Sequence, residues 1–403
     1  MKIRSVIIFF AGALLSLAFR QSLPAQTPPV FLLDARVLAA RKQSARAPKS
    51  PDPALKAAVA RLDAEAAKLL KTEILPITAK EATPPSGDKR DYMSQAPYFW
   101  PNPKTPDGLP YIRRDGERNP EIKRFPDHER LDRMEDAVER LALAYYFTDD
   151  ERYASRAAEI LRLWFLDAKT RMNPNLNFAQ AIPGQNTGRG IGIIETRGLT
   201  RVIDAIGLLD GSKAWTDDDR KGLRSWFEQY LTWLTTSKNG LQEAAEKNNH
   251  GTYYDVQVAA AALFTGQTEL ARKVLGDARE KRIARQIETD GRQPLELART
   301  KSWSYSVMNL QGLIALAALG ESAGVDLWNF QTADGRSIRR ALEFLAPYLD
   351  DRKKWPYQQI EPVKREELAA LVRRAARRFT DEKFRTLAAA LPPPAGDFET
   401  LLY

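Results

Sequence analysis

Two segments of the chain have no charged face, and this limits the possible folds more than any other feature. Apolar residues at helical spacing fill 256–264 and again 307–319, and neither segment contains a charged side chain. A helix without a charged or strongly polar face is stable in water only when other elements surround it. The chain therefore needs an inner layer of helices and an outer layer that covers them.

The remaining sequence can supply that outer layer. From residue 131 onward apolar residues recur at helical spacing, and the breaks carry turn residues such as Gly211, Gly266 and Gly320. Helix pairs recur roughly every 40 residues, as in stacked helical hairpins. We predict an all-α protein, an α/α barrel or toroid of about six to seven helical hairpins with a central substrate cleft. The predicted helices are 52–75, 131–147, 150–167, 190–209, 216–236, 253–265, 268–286, 303–319, 335–349, 362–377 and 381–391.

The N-terminal part of the chain divides into two segments before the predicted barrel. Lys2 and Arg4 precede an apolar run over 6–19, and a small residue follows at Ala25, so residues 1–25 are predicted to be a signal peptide. Residues 26–51 are rich in Pro, Ala, Lys and Arg and are predicted to be a flexible leader. Residues 52–403 are predicted to form one catalytic domain. We expect a periplasmic or secreted protein.

Composition excludes several classes of site. The chain has no cysteine and only two histidines, which rules out disulfides and thiolate chemistry and argues against a zinc site. We predict no metal and no cofactor. The formal net charge of +9 suits an acidic partner. The arginine-rich run at 373–378 is predicted to be a solvated helix face, not a nucleic-acid patch, and after residue 25 no stretch is long and apolar enough to span a membrane.

A long segment without helical periodicity, 81–127, is rich in Pro, Asp, Gly and Arg. A loop of this length inside a compact domain is usually functional. Tyr98 and Trp100 within it are candidates for stacking against sugar rings. The alternative is that these aromatic side chains only attach the loop to the barrel.

The segment 247–255 leads from a polar loop into one of the apolar helices. Thr252 and Asp255 have the spacing of a capping box, which predicts a helix start beside them and places His250 just before it. The positive end of a helix favours a neutral imidazole that can accept a proton. Asn248 and Asn249 add amide donors next to that ring, so a functional role for His250 is favoured over a structural one.

A second segment, 297–309, leads into the other apolar helix. Tyr305 falls in the predicted first turn, where the helix dipole would stabilise a phenolate, and Asn309 lies one turn further on the same face. Arg299 supplies positive charge nearby. Taken alone, this segment is better explained by a core tyrosine with a satisfied hydroxyl and a surface arginine.

Together these residue types suit one reaction. In a 4-linked uronate the proton on C5 is barely acidic while the neighbouring carboxylate is charged. Arg or Asn donors that neutralise the carboxylate make the carbanion accessible. A base then removes the C5 proton and an acid protonates the departing O4, which His and Tyr side chains can do without a metal.

At this point the sequence resembles the alginate lyase superfamily. The resemblance is carried by Asn-Asn-His-Gly-Thr-Tyr-Tyr-Asp-Val-Gln at 248–257, by 92–101, 107–111 and 188–192, and by 299–309. The chain is more similar to polysaccharide lyase family thirty-eight than to family five. The resemblance implies an α/α barrel, metal-independent β-elimination and a poly-uronate substrate such as alginate, polymannuronate or glucuronan.

The resemblance also implies residue roles. Asn249 would neutralise the substrate carboxylate with help from Arg299. His250 and Tyr305 would transfer protons, with Tyr305 as the acid and also the base for syn elimination on mannuronate or glucuronate, and His250 as the base for anti elimination on guluronate. The further predicted substrate ligands are Asn248, Tyr98, Trp100, Gln185, Arg189, Arg197, Tyr254, Trp303 and Asn309.

Other interpretations stay open. Glu195 and a neighbouring arginine could form a buried ion pair, and His128 is predicted to be a surface or helix-capping residue. An α/α-barrel glycoside hydrolase acting on unsaturated uronides would need a pair of carboxylates, for which Asp255 and Glu296 are candidates. A non-catalytic, helical glycan-binding protein would need the aromatic and arginine side chains but neither His250 nor Tyr305.

Overall fold

A computed structural model describes residues 27–47, 52–379, 381–391 and 398–402. The predicted signal peptide lies outside the described residues. The described helices are α1 Ala35–Arg46, α2 Pro53–Leu69, α3 Asp127–Thr148, α4 Glu151–Leu161, α5 Leu199–Leu208, α6 Asp217–Thr236, α7 Lys238–Ala244, α8 Asn249–Phe264, α9 Thr268–Ala278, α10 Pro294–Leu297, α11 Ser302–Ala323, α12 Ile338–Leu345, α13 Arg365–Ala376, α14 Glu382–Ala390 and α15 Glu399–Leu402. The strands are β1 Met93–Gln95, β2 Phe99–Trp100, β3 Ile112–Arg113 and β4 Phe178–Ala181.

The two segments without a charged face form the inner helices α8 and α11, as predicted. Nearly every residue of α8 and most residues of α11 are buried, and α8 packs against α11, α9, α6 and α5. Gly312 allows the close approach of the two helices, because a Cβ at that position would lie 2.9 Å from Cγ2 of Thr252. The predicted all-α architecture of inner and outer helices is therefore confirmed.

The start of α8 differs from the prediction. The helix begins at Asn249, and the side chain of Asn248 caps it. The predicted capping box of Thr252 and Asp255 is wrong, because Asp255 forms a buried ion pair with Arg282 at 2.7 Å instead. His250 consequently lies within the first turn of the helix and not ahead of it.

Three other predicted helices are irregular at one end. The helix predicted over 150–167 finishes in a π-helical turn, Arg162–Leu166, and that over 268–286 passes into another, Arg279–Ala284. The helix predicted over 190–209 is divided into a 3-10 segment, Gly190–Thr196, and α5. Periodicity alone predicts the apolar face of a helix but not these changes in hydrogen-bond register.

The described part of the predicted flexible leader is folded, which corrects that prediction. Residues 35–46 form α1, and the chain just before it is fixed by Asp204 of α5. The buried Asp204 carboxylate accepts hydrogen bonds from the backbone N–H groups of Phe31, Leu32 and Leu33 at 2.7, 2.9 and 2.7 Å. Composition indicated a leader because basic and proline residues dominate it, but three backbone donors on one carboxylate hold it in place.

The segment 81–127 crosses the ends of the helices, and strand pairings and a buried ion pair hold it in place. Strand β1 pairs in parallel with β4, and β2 pairs antiparallel with β3. Lys80 and Asp127 form an ion pair whose side chains are fully buried, and Asp127 also accepts a hydrogen bond from the Met93 N–H at 2.9 Å. None of the helices in the described ranges is long and apolar enough to cross a membrane.

Glu135 of α3 is a buried acid inside the ring of helices. It lies against Gly198, where a Cβ would come within 1.7 Å of Glu135 Oε2, and the nearest cation, Arg201, is 3.8 Å away. Burial raises the pKa of Glu135 to about 8, although Arg201 opposes the shift. Because the folded pKa exceeds that of the unfolded chain, stability from the bound proton is present below about pH 4.5 and is lost as pH rises through about 8.

We predict that Glu135→Gln becomes increasingly stabilising relative to the original protein as pH rises from 5 to 9, because the neutral amide avoids the buried charge. Differential scanning fluorimetry at several pH values measures this as a widening gap in Tm. Glu129→Gln, an exposed position on the same helix, should show no such trend. An equal Tm shift at pH 5 and pH 9 would contradict the assignment.

Candidate active site

The ends of the inner helices open into a cleft of about 450 Å³. The segment 97–118 forms one wall, 180–197 a second, and the first turns of α8 and α11 the floor. Its charged lining consists of five arginines and two glutamates: Arg113, Arg118, Arg189, Arg197, Arg299, Glu195 and Glu246. The excess of cations favours an anionic ligand.

His250 is oriented by an acid from the preceding helix. Its Nδ1 lies 2.8 Å from Oε1 of Glu243, which is buried in α7, and the His250 side chain is only 15% exposed. Burial raises the pKa of the Glu243 carboxyl, and His250 opposes that shift. With Nδ1 occupied, Nε2 is the ring nitrogen left to contact a ligand.

Asn249 is held by a second buried acid, Glu296 of α10. The backbone N–H and the side-chain Nδ2 of Asn249 donate to Oε1 and Oε2 of Glu296, each at 2.7 Å. Burial raises the pKa of Glu296, whereas these hydrogen bonds lower it. The second N–H of Nδ2 and the buried Oδ1, for which the described residues provide no partner, are left for a ligand.

Tyr305, in the first turns of α11, forms a network with Arg299. Arg299 donates from Nη2 to the Tyr305 hydroxyl at 3.0 Å, and its Cζ lies 4.0 Å from the centre of that ring. Asp115, on the opposite wall, holds this guanidinium through an ion pair in which Arg299 Nη2 lies 2.7 Å from Asp115 Oδ1. The Tyr305 and Tyr98 hydroxyls are 3.0 Å apart. A phenol, a cation and a second phenol thus meet at one point of the cleft.

The network sets the ionisation of its members. Burial raises the pKa of Tyr305 well above its ordinary value, Tyr98 adds to the shift and Arg299 opposes it. Desolvation therefore opposes the phenolate that the helix dipole was predicted to favour. Burial also acts to raise the pKa of Asp115, but hydrogen bonds from Arg299 and Thr300 hold it well below its usual range. The resting site presents a protonated tyrosine beside an Arg–Asp pair.

Four further predicted substrate ligands line the cleft: Asn248, Tyr98, Arg189 and Arg197. Arg189 donates to the backbone and side-chain oxygens of Gln180 at 3.2 and 2.9 Å. Among the described residues Glu195 forms no ion pair of the kind considered, and its Oε2 accepts hydrogen bonds from the Tyr92 and Ser94 hydroxyls at 2.7 and 2.6 Å. These positions agree with ligand contacts from the walls of the cleft.

Three predicted ligands lie in the core and not in the cleft. Trp303 and Asn309 are fully buried and Tyr254 nearly so. Trp303 donates to the Lys364 carbonyl and Tyr254 to the Leu234 carbonyl, each at 3.0 Å, and Asn309 donates to two buried glutamines. Their helices are surrounded on all sides, so we revise the predicted role of these three residues to packing.

Two more predicted ligands stay on the surrounding loops. Trp100 donates to the Glu117 carbonyl at 3.0 Å, and Gln185 donates to the Tyr111 carbonyl at 2.6 Å. Neither lines the cleft. The contact of Trp100 fits the alternative interpretation, in which the aromatic side chains attach the long loop, and Gln185 contacts the same loop. Neither side chain therefore lies in the cleft, where the prediction placed it.

The sequence did not predict the roles of several residues in and behind the cleft. His128, expected at the surface, lines the cleft, and its buried Nδ1 has no hydrogen-bond partner within the described part of the chain. Glu243 and Glu296 support the two predicted catalytic side chains from behind. Glu243 precedes His250 by seven residues, a spacing that would put both on one face of a continuous helix and could have suggested the contact, although the chain breaks between α7 and α8. Asp115 had no such signal, because its partner Arg299 is distant in sequence.

The carboxylate pair considered for a hydrolase is not assembled. Asp255 is engaged by Arg282 away from the cleft, and both oxygens of Glu296 are taken by Asn249. Within the described ranges, no group of three or more His, Asp or Glu side chains could hold a metal ion. The pair of Asp255 and Glu296 considered for a hydrolase therefore does not form, and His, Tyr, Asn and Arg side chains meet in the cleft instead.

The chain is similar in sequence and in fold to known alginate lyases. The family model described as alginate lyase matches residues 76–355. An alginate lyase from Bacteroides ovatus is 43% identical, with a TM-score of 0.88 over 93% of this chain and 99% of that one. Alginate lyase A1-III from Sphingomonas species A1 is 20% identical, with a TM-score of 0.56 over 92% and 94% of the two chains, and shares the fold. No curated protein matches the chain.

We predict that Glu296→Ala destabilises the protein by about 2–4 kcal/mol, because two buried donors of Asn249 lose their acceptors. Urea denaturation followed by circular dichroism measures the free energy of unfolding. Glu288→Ala, which removes a half-exposed acid in the loop before α10, should cost less than about 0.5 kcal/mol. Equal values for both variants would contradict the supporting role of Glu296.

Proposed function

The chain belongs to the alginate lyase family and is a polysaccharide lyase, and on that premise we propose that it cleaves 4-linked uronate polymers by metal-independent β-elimination. The candidate substrates are alginate, polymannuronate and glucuronan. The observation that carries this proposal is the meeting of His250, Asn249, Arg299 and Tyr305 in one arginine-rich cleft. These four residues belong to two segments that are about 50 residues apart in the sequence, and the fold brings the two segments together.

Binding of the scissile uronate is the first step. The substrate carboxylate is placed at Asn249, where the second N–H of Nδ2 is available, and near Arg299. These donors withdraw charge from the carboxylate, so the C5 carbanion that forms next is stabilised as an enolate-like species. Arg189 and Arg197 on the walls bind carboxylates of neighbouring sugars in the chain.

Proton transfer completes the reaction. A base takes the C5 proton, the C5–H electron pair forms the C4–C5 double bond, and the C4–O4 bond breaks with its electrons on O4. Tyr305 donates its phenolic proton to O4, and its raised pKa supports this role because the hydroxyl is protonated at rest. For guluronate His250 is the base through Nε2. For mannuronate or glucuronate Tyr305 first gives its proton to solvent, and Arg299 stabilises the phenolate. The phenolate then takes the C5 proton and delivers that same proton to the departing O4.

The location of the enzyme is part of the proposal. Residues 1–25 have the charge and apolar pattern of a signal peptide. Large anionic polymers do not cross membranes unaided, so a lyase that acts on them is useful outside the cytoplasm. We propose a periplasmic or secreted enzyme.

The central test measures ultraviolet absorbance while the protein is incubated with polymannuronate, polyguluronate, glucuronan and a neutral glucan. Elimination creates a double bond conjugated to the carboxylate, which hydrolysis does not. We expect a rise with at least one acidic polymer and none with the glucan. Tyr305→Phe should lower kcat by at least about 1000-fold and His250→Ala by about 100-fold or more on guluronate, with substrate binding retained.

The matched control is Tyr348→Phe, which removes a hydroxyl outside the cleft and should keep kcat within about twofold. Full activity of Tyr305→Phe would overturn the acid assignment. Binding of every acidic polymer without any product would favour a glycan-binding protein.

Asp115 generates a separate prediction, because it positions Arg299 and does not itself face the reacting atoms. We expect Asp115→Asn to lower kcat by about tenfold to 100-fold with a smaller change in KM, since the guanidinium beside Tyr305 loses its fixed geometry. Asp115→Glu should recover part of the loss. Asp107→Asn, in the same loop, is the control. Steady-state kinetics that show a change in KM alone would place Asp115 in substrate binding instead.

A further inference from the structure

Gln180, on the wall of the cleft, has a strained backbone conformation. Its φ is +48°, in the left-handed region that residues other than glycine rarely adopt. Strand β4 is irregular at this point, because Met93 and Gln95 of β1 pair with Phe178 and Ala181 of β4, so that β4 carries one extra residue. Such a bulge changes the direction of a side chain, and strained residues cluster at functional sites. A function of the Gln180 side chain would account for this strain.

Gln180 holds the guanidinium of Arg189 at two points. Arg189 donates from Nε to the Gln180 carbonyl oxygen at 3.2 Å and from Nη2 to the side-chain Oε1 of Gln180 at 2.9 Å. The ring of Phe99 lies against the same guanidinium, with its centre 5.1 Å from Arg189 Cζ. All three residues line the cleft. Nη1 of Arg189 has no hydrogen-bond partner among the described residues, so this end of the guanidinium is left for a ligand.

The loop that carries Arg189 is packed against backbone on both sides. A Cβ at Gly188 would lie 2.0 Å from the Asn177 carbonyl oxygen, just before β4, and a Cβ at Gly190 would lie 2.5 Å from the Asn239 carbonyl oxygen in α7. Only glycine permits both approaches. The glycine-rich segment 188–192 therefore fixes Arg189 between β4 and α7.

Arg189 differs from two other arginines of the cleft in the kind of group that holds it. Arg299 and Arg113 both pair with Asp115, at 2.7 and 2.6 Å. Arg189 is held by a neutral amide and a carbonyl group, and it forms no ion pair with any carboxylate of the described residues. A cation held by an amide keeps its charge for a ligand, whereas the charge of Arg299 and Arg113 is offset by an acid in contact.

The surroundings of Arg189 favour the binding of an anion. Partial burial lowers the pKa of Arg189 and Arg113 adds to this shift, whereas Glu195, Glu243 and Glu246 oppose it. The three acids therefore do not compensate for the loss of water around the cation. A carboxylate bound at Nη1 would do so more effectively, because it would be closer than any of the three.

We propose that Gln180 and Arg189 form a preorganised carboxylate subsite, in which Gln180 sets the affinity of the cleft for polyuronate through Arg189. The subsite takes the carboxylate of a uronate other than the one at Asn249, because Arg189 belongs to the wall 180–197 and Asn249 to the floor. This inference rests on the proposed function for the identity of the polymer. A guanidinium that is fixed in advance needs no ordering when the ligand binds, so its contribution falls on KM more than on kcat.

The test measures elimination kinetics on the uronate polymer that the full chain cleaves. Gln180→Glu keeps the shape of the side chain but gives Arg189 a counter-charge, so KM should rise about tenfold with a smaller change in kcat. Gln180→Asn suits the positive φ but is one methylene shorter, so KM should rise about threefold while Tm is unchanged or higher. Gln229→Glu, exposed on α6, makes the same change of charge and should leave KM unchanged.

A double substitution tests whether Gln180 acts through Arg189. Arg189→Gln should raise KM about tenfold or more, because the charge itself is removed. Adding Gln180→Asn to Arg189→Gln should then change KM no further. Additive effects of the two substitutions would overturn the positioning role of Gln180.

The outcomes separate this inference from the proposed function. An unchanged KM for Gln180→Glu, with elimination by the original protein intact, overturns the inference alone. A fall in both kcat and Tm for Gln180→Asn without a rise in KM also overturns it, because Gln180 is then only structural. No elimination on any uronate polymer rejects the proposed function. Isothermal titration with a mannuronate hexamer then decides on the subsite, since Gln180→Glu should weaken Kd about tenfold and Gln229→Glu should not.

Discussion

The packing of α8 against α11 is the constraint on which the rest of the structure depends. Both helices lack a charged face, so each is stable only when surrounded, and Gly312 lets them approach closely. Their first turns reach the same cleft, which places His250 and Tyr305 on one floor. The outer helices surround α8 and α11 along their length but leave their first turns open to the cleft. The packing of these two helices therefore determines both the fold and the position of the site.

Three acids orient the polar side chains of the cleft through hydrogen bonds. Glu243 orients His250, Glu296 orients Asn249 and Asp115 orients Arg299. Each acid is hydrogen-bonded to the side chain it supports, so the reacting groups keep a fixed geometry before substrate binds. Positive charge on the cleft walls and protonated Tyr305 on its floor complement a polymer that carries one carboxylate per sugar.

Electrostatics also distinguishes the cleft from the interior of the protein. Cations dominate the cleft, whereas a neighbouring cavity of about 390 Å³ is lined by the buried acids Glu135 and Asp204. Burial raises the pKa of Glu135 to about 8 and that of Asp204 to about 7. Burial stabilises their protonated forms, so the contribution of these two acids to stability is lost as pH rises through these pKa values.

The amino-acid sequence by itself determined the helical class, the two inner helices and the four residues proposed for catalysis, because apolar periodicity and short polar motifs are local properties. Only the tertiary structure decided which polar side chains reach the cleft. Trp303, Tyr254 and Asn309 belong to the same motifs yet lie in the core, whereas His128 and Asp115 arrive from distant segments. The reason is that burial depends on contacts between segments that are far apart in the chain. Burial also raises the pKa of Tyr305, an effect that the local sequence does not show.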